Sequence, residues 1–216
     1  MPDIISIDPL DIATSSIQKA VSILKAGGIV AFPTETFYGF AADAANEKAV
    51  NRLFEIKGRS FNNPIALIIS RQNDLDMLTD NIPEAAKKLM AAFWPGPLTL
   101  VFKASTSVSG RLTAGTGKIG VRISSHPIAQ ALASALGRPI TATSANLSGA
   151  RECTTAAAVN DQITSELVTI IDSGATPGGQ GSTFCDVTSD PPSILREGTI
   201  PAATIQSVLT TNSFQQ

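Results

Sequence analysis

The chain of 216 residues has very few histidine, cysteine and aromatic side chains, and these shortages limit the metal sites, disulfides and core that it can form. His126 is the one histidine, and the two cysteines, Cys153 and Cys185, stand far apart. Neither a clustered transition-metal site nor a disulfide framework fits this set, so we expect no bound transition metal. Aromatic residues make up only 5% of the chain. The core must therefore consist mainly of Ala, Val, Ile and Leu.

The sequence also lacks a long apolar segment. Its longest aliphatic runs are about five residues, whereas a membrane-spanning helix needs ~20. The first residues, MPDIISIDPLD, show neither the basic nor the apolar region of a signal peptide. We therefore expect no membrane contact and a cytoplasmic location, where unpaired cysteines are usual.

The common catalytic motifs are missing as well. There is no GxSxG nucleophile motif and no Walker A motif. Residues 115–120 match GxGxxG, but they precede a predicted strand instead of opening a helix, which excludes a dinucleotide fingerprint. His126 directly precedes Pro127, a position that is typical of the entry to a helix.

Charge is distributed unevenly along the chain. The net charge is −2, but residues 57–151 carry 11 basic and 4 acidic side chains. A basic middle is typical of a site for a polyanion, either nucleotide phosphates or an RNA backbone. The alternative is that these Lys and Arg side chains only solvate helix surfaces.

The segment 27–70 organises the prediction of the fold. It reads as a buried strand at 29–32, a polar turn at 34–36, a helix from about Asn46 to Lys57 and a second strand at 65–69. Asn46 is a candidate N-cap and Gly58 a candidate C-terminal glycine. Lys57 and Arg59 lie at the helix end, where cations are favourable in any protein.

The rest of the chain repeats this alternation. We expect helices near 15–26, 83–93, 127–136, 154–163 and 201–209, with Pro83 as the first helical residue of its helix. Strands are expected at 98–102, 119–123, 140–143, 167–171, 182–187 and 193–196, and a polar loop at 104–117. Because the late strands follow one another closely, these elements predict an α/β fold with a mixed sheet and flanking helices.

Hydroxyl groups and cations recur where predicted elements end. Arg122 lies inside an apolar strand, where it needs an anionic partner if it points inward, or else faces solvent. Ser144 and Asn146 follow a strand and can either bind phosphate oxygens or form a local turn. Residue types of this kind suit phosphoryl or nucleotidyl transfer, which requires positioning and charge neutralisation. The full set is Thr34, Thr36, Lys57, Arg59, Arg122, Ser144, Asn146, Ser182 and Arg196.

Four sequence blocks carry a resemblance to a known family. The four blocks are PTETFYG at 33–39, KGR with NP at 57–64, WPGPLT at 94–99 and SANLSG at 144–149. Weaker matches add to them at residues 121–127, 182–183 and 194–198. Together, over roughly residues 14–210, they resemble the YrdC/Sua5 family of threonylcarbamoyl-AMP synthases.

The resemblance implies a twisted α/β sheet with a concave, positively charged cavity, in one catalytic domain spanning residues 1–216. It implies a reaction that joins L-threonine, bicarbonate and ATP, with Mg²⁺, into threonylcarbamoyl-adenylate and pyrophosphate. The product would serve the t6A modification of adenosine 37 in tRNA, through a separate transferase complex. A second domain seen in long family members is not expected.

The resemblance also implies roles for individual residues. Lys57 and Arg59 match catalytic positions that hold the ATP phosphates. Ser144, Asn146 and Arg196 match further ATP-binding positions. Thr34, Arg122 and Ser182 match threonine-binding positions.

Two positions depart from the family pattern. Ile68 stands where many relatives carry a histidine, and Thr143 where proline is common.

Two other functions stay open. One alternative is a non-catalytic module that binds double-stranded RNA or tRNA, which the basic middle would serve equally. The other is a related enzyme that forms a different carbamoyl-adenylate, as in hydrogenase maturation; the modules that accompany that activity are missing.

Overall fold

Ten strands form one twisted, mixed sheet in the computed structural model, which describes residues 2–8, 10, 12 and 14–210. The strands are β1 Asp3–Ser6, β2 Ile29–Phe32, β3 Gly39–Ala41, β4 Ala66–Ile68, β5 Leu98–Lys103, β6 Lys118–Arg122, β7 Ile140–Ser144, β8 Val168–Asp172, β9 Thr183–Asp186 and β10 Ser193–Arg196. Their order across the sheet is β1-β8-β2-β3-β7-β4-β6-β5-β9-β10. Neighbours are parallel in the pairs β1–β8, β8–β2, β4–β6 and β5–β9 and antiparallel elsewhere.

Seven α-helices and one 3₁₀ helix are found among the described residues. They are α1 Thr14–Lys25, α2 Glu47–Lys57, the 3₁₀ helix Gln72–Met77, α3 Glu84–Phe93, α4 Gly110–Thr113, α5 Pro127–Leu136, α6 Ala156–Gln162 and α7 Ala202–Thr210. None of the helices in this part of the chain is long and apolar enough to cross a membrane.

The helices pack on both faces of the sheet. Along β2 the side chains alternate, so that Ile29 and Ala31 join one apolar cluster and Val30 and Phe32 join the other. Helices α2, α3, α6 and α7 contribute to the first cluster, and α1 and α5 contribute to the second. Phe32 also lines a cavity on this second face of the sheet.

Local sequence signals explain the helix that leads to the site. The Asn46 side chain accepts a hydrogen bond from the Ala49 amide, which caps the start of α2. Gly58 ends the helix in the left-handed region, at φ 58°. Both predictions are confirmed, and so is the predicted range of α5, which ends at Gly137 with φ 73°.

Four predictions of local structure were incomplete or wrong. Strands β1 and β3 were not foreseen, because they are short and show no apolar alternation with polar residues. The predicted loop at 104–117 contains the short helix α4. Pro83 is the N-cap of α3 and not its first helical residue, since its ψ of 154° is extended.

At Gly198 the backbone passes very close to the backbone of Gly181 and Ser182, near the cavity. A Cβ at this position would lie 2.2 Å from the Gly181 carbonyl oxygen and 2.7 Å from Ser182 backbone atoms. Gly198→Ala should therefore lower the free energy of unfolding by ~1–3 kcal/mol, as overpacking does. Thermal unfolding would show this as a loss of roughly 2–4 °C per kcal/mol.

Gly110→Ala is the matched control, because a Cβ there meets nothing within 4 Å. It lies in α4, where alanine is favoured over glycine by up to ~1 kcal/mol. Equal melting temperatures for the two variants would contradict the crossing described for Gly198.

Candidate active site

A cavity on the second face of the sheet collects most of the residues singled out from the sequence. Its volume is about 170 Å³, smaller than the ~300–1,000 Å³ of typical pockets for drug-sized ligands. It can enclose a small metabolite, whereas a nucleotide bound there would extend over the rim. The predicted residues that line it are Thr34, Thr36, Arg59, Arg122, Ser144, Ser182 and Arg196.

The turn after β2 carries the first of these groups. The Thr34 hydroxyl donates to the Phe37 carbonyl at 2.7 Å and accepts from the Thr36 amide at 3.2 Å. These bonds fold the turn on itself and turn both threonines inward, so that both are buried and both line the cavity.

Arg122, the last residue of β6, points inward and is paired with an acid. Its Nη1 donates to Glu35 in the turn after β2, and the side chains are 8% and 13% exposed, respectively. Ser124 donates to the other Glu35 oxygen. Burial lowers the pKa of Arg122, and the nearby Glu35 opposes that shift. Of the two alternatives for Arg122, the buried one with an anionic partner is confirmed.

Lys57, the last residue of α2, lies behind the cavity and not in its lining. It is 2% exposed. Its ammonium donates to the Ser144 carbonyl, to the Asn146 carbonyl at 2.7 Å and to the Asn146 side-chain oxygen at 3.3 Å. Burial, followed by the charge of Arg59, lowers the pKa of Lys57 to about 8.

Asn146 lies with Lys57 behind the lining, while Ser144 faces the cavity. The Asn146 amide donates to the Ala150 carbonyl at 2.6 Å, so both ends of its side chain stabilise the loop after β7. The Ser144 hydroxyl lines the cavity without a hydrogen bond to any described residue. The local turn is therefore confirmed, and the binding of phosphate oxygens by Ser144 stays a prediction.

Arg59 extends from the C-terminal end of α2 to the cavity wall. Its Nη2 donates to the Pro64 carbonyl at 2.8 Å, and its Nε lies 3.4 Å from the Asn63 carbonyl. Burial lowers the pKa of Arg59. Because guanidinium keeps its charge far above neutral pH, Arg59 still presents a cation to the cavity.

Another part of the cavity wall comes from β9, the residues just before it, and β10. Arg196, the last residue of β10, donates to the Ser182 carbonyl at 2.7 Å and lies 4.5 Å from the centre of the Phe184 ring. The Ser182 hydroxyl is 2.9 Å from that of Thr99. Burial lowers the pKa of Arg196, Glu152 opposes the shift and Arg122 adds to it.

Several lining residues were not assigned a role from the sequence. Thr99 and Tyr38 line the cavity, and both lie in sequence blocks that resemble the family, but neither was given a role. Glu152 lines it next to the basic residues. Glu35 was visible as the acid of the polar turn, but its pairing with Arg122 spans 87 positions, which spacing cannot reveal.

The remaining sequence signals have structural explanations. His126 caps α5, because its Nδ1 accepts a hydrogen bond from the Ile128 amide, so its prediction as a helix-entry residue is confirmed. Ile68 is fully buried in β4. Within the ranges described by the structure, no three His, Cys, Asp or Glu side chains are grouped to hold a metal ion.

The arrangement is suited to binding anions beside a hydroxyl-rich patch. Three guanidinium groups, those of Arg59, Arg122 and Arg196, reach one cavity. Planar guanidinium groups bind carboxylates and phosphates with two parallel hydrogen bonds. A ligand with a carboxylate, a hydroxyl and a phosphate would match these groups.

Comparisons with known proteins agree with this description. The profile of the family Sua5_yciO_yrdC, whose description is "Telomere recombination", matches residues 22–198. The threonylcarbamoyl-AMP synthase of Pyrococcus abyssi is 42% identical over 193 residues, covering 89% of this chain and 57% of its own length. That of Bacillus subtilis is 40% identical over 203 residues, covering 94% of this chain and 59% of its own length.

The fold of a solved relative is also very similar. The crystal structure of P. abyssi Sua5 complexed with L-threonine superposes with a TM-score of 0.92 at 41% identity, covering 96% of this chain and 61% of the other. This chain therefore spans about three fifths of the length of these relatives. The match of the profile over most of the chain, supported by this superposition, shows that the protein belongs to the Sua5/YciO/YrdC family.

Proposed function

We propose that this chain is a threonylcarbamoyl-AMP synthase and that residues 1–216 act as one catalytic domain. It would convert L-threonine, bicarbonate and ATP into threonylcarbamoyl-adenylate and pyrophosphate. The relatives from P. abyssi and B. subtilis are named threonylcarbamoyl-AMP synthases. The observation that carries the proposal is the cavity in which buried Arg122 and a set of hydroxyl groups lie beside Arg59 and Arg196.

L-Threonine fits the deeper part of this cavity. The Arg122 guanidinium is suited to its carboxylate, and Thr34 and Ser182 offer hydroxyl groups for its polar atoms. A structure of P. abyssi Sua5 contains L-threonine, which supports the same ligand here.

ATP fits the outer part, where its phosphates meet Arg59, Arg196 and the free Ser144 hydroxyl. In this proposal Lys57 and Asn146 act mainly by shaping the loop that carries Ser144, and the Lys57 charge adds to the positive potential. Arg59 is the residue with the most direct catalytic role, because its guanidinium lines the cavity.

Mg²⁺ would enter as the complex with ATP. Among the described residues that line the cavity, Glu152 is the acidic one, and one carboxylate together with substrate phosphates is a ligand set that Mg²⁺ accepts. When bound, the ion would neutralise charge on the phosphates.

The chemistry requires positioning more than acid–base catalysis. The threonine amine bonds to the carbon of bicarbonate, and water leaves to give a carbamate. A carbamate oxygen then bonds to the α-phosphorus, and the bond from that phosphorus to the β-phosphate oxygen breaks. Arg59 and Arg196 can stabilise the negative charge on the phosphates as pyrophosphate departs.

The proposal extends to the cellular role. The product would pass, in the cytoplasm, to a separate transferase complex for t6A modification of tRNA. The rival function, binding of double-stranded RNA or tRNA without catalysis, would use the basic residues of segment 57–151. It would leave buried Arg122 and the hydroxyl-lined cavity without a purpose.

The direct test is pyrophosphate release from ATP by the purified chain. We expect release only when L-threonine and bicarbonate are both present, with the mass of threonylcarbamoyl-adenylate in the product. Leaving out each substrate in turn is the control. An absence of release, together with salt-sensitive binding to double-stranded RNA, would replace the synthase with the RNA-binding function.

Arg59→Ala should reduce the rate of product formation by ~100-fold or more, since loss of one preorganised charge donor has effects of this size. Lys57→Ala should reduce it similarly and also lower the melting temperature, because two buried carbonyl groups lose their donor. The measurement is product formation at saturating substrates, with melting temperatures alongside.

Lys48→Ala is the matched control, since Lys48 is an exposed cation on the same helix. Near-normal turnover in Arg59→Ala would contradict the phosphate-binding role proposed for that residue.

The KM for ATP should rise as the pH passes through about 8. The folded-state pKa of Lys57 lies near that value, below its ordinary 10.5, so the ammonium is charged at neutral pH and loses its proton above pH 8. The arginines stay charged over this range. Initial rates between pH 6.5 and 9.5 would test this, and a constant KM up to the highest pH would argue against a role for the Lys57 charge.

A further inference from the structure

Glu35 is a partly buried carboxylate, with its side chain 13% exposed, and it has no part in the steps above. It nevertheless holds the Arg122 guanidinium. Its two oxygens accept from different donors, one from Arg122 and one from Ser124. Burying such a pair costs desolvation energy that the attraction only roughly offsets, so the pair is weak evidence for a role in stability. Its position beside the cavity points to a role in binding.

Only one corner of the Arg122 guanidinium is engaged by protein. Nη1 donates to Glu35, and neither Nε nor Nη2 has a partner among the described residues. Neither nitrogen is a fully buried atom without a partner. Since Arg122 is a buried residue that lines the cavity, these two nitrogens face the cavity. Together they form the edge that binds a carboxylate in a bidentate manner.

Glu35 is itself held from a second direction. Ser124 is fully buried, and besides donating to Glu35 its hydroxyl accepts from the His126 amide at 3.2 Å. The Gln130 side chain donates to the Ser124 carbonyl at 2.7 Å. The start of α5 therefore fixes the Glu35 carboxylate, and the carboxylate fixes the guanidinium.

We infer that Glu35 is a positioning residue that reserves Arg122 for the carboxylate of the amino-acid substrate, an inference that rests on the proposed function. By accepting a hydrogen bond from Nη1, Glu35 orients the Nε–Nη2 edge of the guanidinium toward the cavity. By compensating the charge it also keeps Arg122 from turning toward the phosphates of ATP, which Arg59 and Arg196 are left to bind. The acid in the turn thus separates the amino-acid half of the site from the nucleotide half.

The test is Glu35→Gln, which keeps the length of the side chain but removes its charge and one of its two acceptor oxygens. The dissociation constant for L-threonine, measured by calorimetry, should rise by about tenfold or more, since hydrogen bonds to charged groups contribute on this scale. The KM for ATP should change by less than about threefold. If Glu35 had only a structural role, its substitution would instead lower the melting temperature and weaken the binding of L-threonine and ATP equally.

Asp43→Asn is the matched control. Asp43 is also a paired carboxylate, with Arg138 at 3.3 Å, and it lies four positions from Gly39, the residue of β3 that lines the cavity. This variant should lose stability without a change in the affinity for L-threonine.

The outcomes separate the inference from the function on which it rests. If the wild-type chain neither binds L-threonine nor releases pyrophosphate, the proposed function fails. If the wild type is active and Glu35→Gln binds L-threonine normally, more tightly, or with a loss equal to that for ATP, the inference alone is overturned. Should Glu35→Gln not fold, Ser124→Ala replaces it: a threonine-specific loss of about threefold or more supports the inference, and a smaller one overturns it.

Discussion

The buried ammonium of Lys57 joins the two segments that carry Arg59 and Ser144 to the cavity. It closes the end of α2 against the loop after β7, across 87 and 89 positions of sequence. The link is reciprocal, because the Ser148 amide donates to the Lys57 carbonyl at 2.8 Å. Without this side chain the inward-facing carbonyl groups would lack a donor, and Ser144 would lose its fixed place on the cavity wall.

Burial acts on every cation of the site, and the side-chain types respond differently. It lowers the pKa of Arg59, Arg122 and Arg196, but a guanidinium starts so far above neutral that it stays charged. The pKa of Lys57, by contrast, is lowered to about 8. The cations that line the cavity thus keep their charge over the neutral range, and the cation that shapes the loop is the one that titrates.

Local signals predicted the local structure well. Asn46 and Gly58 mark the two ends of α2, and Pro127 and Gly137 mark those of α5. These ends were predictable because caps and helix-breaking residues act over a few positions. Strand β3 escaped prediction because three buried residues between two other strands show no alternation. The mixed sheet was predicted, whereas its order was beyond what the sequence pattern can specify.

The site was predictable as a set of residues but not as a set of contacts. Arg122 in an apolar strand indicated an acidic partner, and the structure identifies Glu35. Nothing in the spacing distinguished Lys57, which bonds to backbone carbonyls, from Arg59, which lines the cavity two positions later. Such differences depend on tertiary packing between segments that are distant in sequence.

The parallel pairing of β5 with β9 has a consequence for how the protein is made. It places Leu98 beside Thr183, so one wall of the cavity comes from the late part of the chain. As the polypeptide leaves the ribosome, Arg122 and Glu35 emerge well before Ser182 and Arg196. Pairing over such a separation is slow, and a ligand stabilises only the state that binds it. A ligand of the cavity would therefore protect the finished sheet but not the nascent chain.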